Sequence, residues 1–155
     1  MVRLLALAVA CTLPALTSAH AADGKCNLNA RKVSGTYGFA AQGVATGANP
    51  LVPVGPFVQA GIVTSTAQSE GARMIRGIWT TTFAQNDAQG YKPEVTFGGT
   101  FAIDNRTCSG DYFLGSPPAS SAPAFRVIVV DDGDEVRTIS AVPNVIIAYT
   151  SAKRL

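Results

Sequence analysis

Few residues in this chain are of types that perform acid–base, nucleophilic or metal chemistry. There is one histidine, His20, and there are three cysteines, Cys11, Cys26 and Cys108. His20 and Cys11 fall in a segment with the layout of a secretory signal. Arg3 supplies the charged start, and the apolar run 4–16 is interrupted only by Thr12. Ala19-His20-Ala21 then places small residues on both sides of the histidine, ahead of a cut after Ala21. The domain left by that cut, 22–155, has two cysteines and no histidine. It cannot hold a Ser-His-Asp triad, a Cys-His dyad, a histidine zinc site or a four-cysteine cluster. A Gly-rich phosphate loop running into Lys-Ser/Thr is also missing from the sequence. No catalytic residue, metal or cofactor is expected on these grounds.

The remaining candidates are carboxylates, arginines and aromatic rings. Asp131, Asp132, Asp134 and Glu135 carry oxygens of the kind Ca²⁺ favours, but their spacing is not that of a calcium loop, and they read as a solvated turn. Asn105-Arg106-Thr107 has the form of an N-glycosylation acceptor. Glu94, Asp111 and the tyrosines could act as proton donors or acceptors, yet nothing in the sequence brings two of them together. Arg73 and Arg76 differ in parity, so on a regular strand at most one points inward. Arg126 alternates with Phe125 and Val127 and is the expected charged anchor if the interior takes a ligand. Tyr37, Phe39, Phe97 and Phe101 are core residues by default. In a hollow domain they become the apolar wall of a void of roughly a few hundred Å³.

Cys26 and Cys108 remain as a pair in an exported protein, where a disulfide is the default. The loop it would close contributes about 4.5 kcal/mol in the chain-entropy treatment. A competing reading of Ala8-Val9-Ala10-Cys11 is a degraded lipoprotein cleavage site, which would anchor the protein through Cys11. Hydrophobic residues make up 47% of the 155, charged residues only 14%, and the formal net charge is +2. This suits one domain with one core, and a chain without a Lys/Arg cluster fits neither nucleic acid nor an anionic membrane. No later apolar run is long enough to cross a bilayer. The expected location is secreted or periplasmic.

The elements that must position these residues read as strands. Strands are predicted at 57–66, 74–83, 95–103, 111–114, 125–130, 136–139 and 145–150, with a first one opening at 34–39. Loops are predicted at 47–56 and 116–123, and 22–31 reads as polar and irregular. The period of two is clearest at 95–103, where Phe97, Phe101 and Ile103 share one face and Thr96 and Thr100 the other. Asp132-Gly133 between two β-branched runs signals a hairpin. Gly35-Thr36-Tyr37-x-Phe39, Gly99-Thr100-Phe101-x-Ile103 and Gly110-Asp111-Tyr112-x-Leu114 repeat one template. The expected fold is all-β and antiparallel, with about eight strands in an up-and-down, calycin-like barrel; a β-sandwich is the alternative.

The Gly99-Thr100-Phe101 strand and the turn Asp104-Asn105-Arg106-Thr107-Cys108-Ser109-Gly110 resemble a group of uncharacterised secreted bacterial β-domains. These carry a Gly-Thr-Tyr/Phe strand followed by an Asp/Asn-x-x-Cys-x-Gly turn. The resemblance covers part of the second half of the chain and implies no activity. In outline the barrel is similar to lipocalins and to allene-oxide-cyclase-type barrels, without the Gly-x-Trp of the former or a motif of the latter. Three function classes stay open: a non-catalytic binder of an apolar small molecule, a barrel cyclase or isomerase, and a structural or interaction module whose interior is filled by its own side chains.

Overall fold

The computed structural model describes residues 26–49, 51–115, 118 and 121–155. The signal segment, with Cys11 and His20, lies outside them, as does part of the loop predicted at 116–123. A helical turn, α1 (Ala30–Val33), precedes eight strands: β1 (Gly35–Ala45), β2 (Gly55–Glu70), β3 (Met74–Asp87), β4 (Gly90–Asp104), β5 (Ser109–Leu114), β6 (Phe125–Val130), β7 (Glu135–Ser140) and β8 (Val145–Arg154). Each pairs antiparallel with the next, and β8 returns to β1, so the sheet closes into a barrel. Closure excludes the sandwich, although the first part of β4 and the mouth-side parts of β7 and β8 have a ladder on one side only.

Strands β1 to β4 run longer than the sequence reading had them. β4 was expected to start at Val95, where the period of two is clear, but it starts at Gly90 and runs through Pro93. The β3–β4 register shifts between Phe83 and Gln85, so Pro93 and Glu94 together oppose Ala84. A bulge tolerates a proline that has no N–H to donate to the ladder. The segment expected to be irregular up to Arg31 contains the start of α1. Asn29 caps this turn, its Oδ1 accepting from the Lys32 N–H at 3.1 Å.

The lumen is packed by large rings set opposite glycines. Gly43 faces Phe57 across β1–β2, and Gly77 faces Phe101 across β3–β4. Gly61 lies between Phe39 and Phe83, and Gly99 faces Trp79. A Cβ on Gly77 would stand 2.6 Å from Phe101 Cζ, so only glycine lets that ring lie over the strand. Of the repeated Gly-polar-aromatic template only Gly99 takes part in this arrangement; Gly35 lies opposite Ser65, and Gly110 opposite Ile103 and Val127.

One end of the barrel, the base, is sealed. The base turns are 71–73, 105–108 and 131–134, and α1 is inserted among them. Leu28 and Val33 are buried there with Ile75, Phe101, Ile103, Val127 and Val129. Cys26 and Cys108 form a disulfide with a Cα–Cα distance of 5.5 Å, tying the segment before α1 to the β4–β5 turn. The opposite end carries the connections 46–54, 88–89, 115–124 and 141–144. Val52 packs there on Phe57, Ala45 and Val145, covering part of the mouth.

Candidate functional site

Above the packed base the lumen widens into a cup. Its cavity is about 100 Å³, below the roughly 300–1,000 Å³ of a drug-sized site and near the roughly 150 Å³ that holds a benzene. Trp79 and Tyr112 form the floor, their rings stacked at 5.6 Å. Phe39, Phe83 and Phe97 make a continuous edge-to-face series, at 5.7 Å and 5.1 Å between centroids. Phe125 stands edge-on to Trp79 at 6.4 Å. Phe39, Phe97 and Phe125 line the cup and are only partly buried.

The polar groups of the wall are mostly engaged. Thr81 donates to the Ile62 carbonyl at 3.1 Å, and Ser65 donates to the Val33 carbonyl of the plug. Gln59 donates to Gln85 at 2.7 Å, and Gln85 in turn donates to Asp87, whose carboxylate also takes the Lys92 ammonium at 2.8 Å. The hydrogen bond from Lys92 holds the Asp87 carboxyl below its usual range. The wall is weakest between β7 and β8. Their ladder consists of Glu135↔Lys153 and Val136↔Ala152 alone. Beyond it the strands part, and the Thr138 hydroxyl reaches Thr150 at 3.3 Å across the gap.

Beneath the floor, a residue that sequence reasoning passed over closes the base. The Arg154 guanidinium donates to the Ser34 carbonyl at 2.9 Å, to the Lys32 carbonyl, to Tyr37 Oη at 2.9 Å and to the Gly133 carbonyl at 3.3 Å. Its Nε pairs with Asp134 at 3.1 Å, and the guanidinium lies 5.0 Å from the Tyr37 ring centre. Burial pushes the Tyr37 phenol upward in pKa, with Arg154 opposing that shift. The last strand was expected to end at Thr150, which left Arg154 outside it; β8 runs on to Arg154.

The structure therefore separates the sequence candidates. Tyr37, Phe39 and Phe97 line the cup together. Phe101 does not: it is 2% exposed, stacked on Tyr112 at 5.4 Å in the packed layer below. Arg126 is outside the barrel, because its inward neighbours Phe125 and Val127 fix the parity of β6. Its exposed side chain lies 4.0 Å from Asp111. Arg73 and Arg76 also face solvent, paired with Asp104 and Glu70. Glu94 is exposed. Asp132 pairs with Lys32 at 2.6 Å and Asp134 with Arg154, so the acidic turn binds the plug and the last strand. Trp79, Phe83 and Phe125 belong to the cup but were not singled out, since the run Thr80-Thr81-Thr82 blurs the alternation around Trp79.

No charged side chain lines the cavity among the described residues, and no helix among them is long and apolar enough to cross a membrane. What this arrangement can do chemically is desolvate and hold a compact apolar group. Comparison with protein-family models, curated proteins and solved structures returned no match.

Proposed function

We propose that this protein is exported and binds a compact apolar small molecule in the cup without transforming it. The observation that carries this reading is the set of inward rings, Phe39, Phe97 and Phe125, left partly exposed around an uncharged cavity of about 100 Å³. Apolar surface facing water inside a barrel is a standing penalty that an apolar guest removes. The cyclase or isomerase reading draws no support from this wall, which offers neither a carboxylate nor a guanidinium among the described residues. Export is supported by the signal layout, by the Cys26–Cys108 disulfide and by the resemblance of the 99–110 segment to secreted β-domains.

Trp79 is the only tryptophan in the chain, so its emission reports on the cup alone. Titration with toluene should change that emission saturably and raise the melting temperature with ligand concentration. Ala41 lines the cavity, and Ala41→Leu should fill it and abolish both effects. A linear, non-saturating response that is the same in both proteins refutes binding. For export, protein recovered from its own host should have the mass of a chain starting at Ala22, with no alkylatable thiol before reduction.

A further inference from the structure

A polar atom of the cup floor has no partner among the described residues. Trp79 is 4% exposed, and its indole Nε1–H is buried with no hydrogen-bond partner among the described residues. Buried donors are nearly always paired, so an exception calls for an explanation. Ser65, Thr81, Gln59 and Thr138, in the same wall, all have partners. A phenylalanine would stack on Tyr112 equally well without carrying a donor into an apolar floor. The unpaired N–H therefore points to an acceptor brought by something else.

We propose that the molecule held in the cup carries one hydrogen-bond acceptor oxygen, a ketone or ether, that takes the Trp79 indole N–H, on a skeleton otherwise apolar and compact. This rests on the binding reading above and names its ligand class. A carboxylate or ammonium ligand is disfavoured, since no charged side chain of the described wall would compensate its desolvation. A pure hydrocarbon would fill the cup and leave the donor unmet. A neutral hydrogen bond inside an apolar site separates such ligands by about fivefold.

The test uses two ligands of one shape, acetophenone and α-methylstyrene, in which C=O is exchanged for C=CH₂. The single tryptophan gives one indole resonance in a ¹⁵N–¹H correlation spectrum. Acetophenone should move that proton downfield, and α-methylstyrene should not. Calorimetric affinities should give a ketone-to-alkene ratio about fivefold higher in the native protein than in Trp79→Phe. If both ligands bind but shift the indole proton alike and the ratio is unchanged, the acceptor inference is overturned and the binding reading stands. If neither binds, both fail. Should Trp79→Phe not fold, the resonance comparison in the native protein decides alone.

Discussion

Arg154 is the side chain on which the base depends most. It ties three backbone carbonyls, a phenol and a carboxylate from separate parts of the chain. Planar, multiply donating guanidinium is suited to this in a way an ammonium is not. Arg154→Ala should lower the unfolding free energy by about 2–3 kcal/mol, because buried acceptors lose a charged donor. Arg154→Lys should recover less than half of that loss. Urea unfolding of the three proteins measures it, and a full recovery by lysine would mean that only charge matters here.

Alternation is the property of the strands that the sequence displays best. Phe97, Phe101 and Ile103 were legible as one face because 95–103 is regular; the six-residue β6 left the parity of Arg126 open, and the residue expected to anchor an interior ligand lies outside the barrel. Depth along the lumen was not legible. Phe97 and Phe101 share a face, yet one lines the cup and the other is sealed below it, and nothing local records how high each strand sits. Bulges hid the rest, as at Pro93 in β4 and between Ile147 and Thr150 of β8, which both face the cup despite opposite parity. The glycine–ring pairs give this scale its experiment. Gly→Ala commonly stabilises by about 0.4–1 kcal/mol where the backbone permits it. At Gly77 the added Cβ would meet Phe101 Cζ at 2.6 Å and the Thr66 carbonyl oxygen at 2.1 Å. Gly77→Ala should therefore destabilise, by about 2–3 kcal/mol of overpacking. At Gly71, with φ +64° and nothing within 4 Å, alanine should cost only about 1 kcal/mol of backbone strain. Equal melting temperatures for the two variants would show that the rings repack freely.

At the scale of the whole molecule, stability should not change step-wise near neutral pH. The chain's one histidine, His20, lies outside the described domain, so no imidazole of that domain titrates near neutrality. Burial raises the pKa of Tyr37 and of Tyr112. A tyrosine whose folded pKa is raised contributes stability below its unfolded value of about 10, and that stability is lost as pH rises further. Asp87, Asp104 and Glu135 are lowered, chiefly by hydrogen bonds from the Lys92 side chain, the Arg106 N–H and the Arg137 side chain. Their stabilisation is present above the usual carboxylate value of about 4 and is lost below it. The melting temperature should thus be flat from about pH 5 to pH 9 and fall on both sides. A slope centred near pH 6–7 would contradict this.

The sealed base also fixes an orientation. Cys26 is bonded to the β4–β5 turn there, and the Leu155 N–H reaches the Thr36 carbonyl at 3.0 Å on the same side. Anything joined to either end of the described chain, whether a lipid tether, a reporter or a solid support, hangs from the closed side. An immobilised copy would stand with its mouth turned away from the surface that holds it.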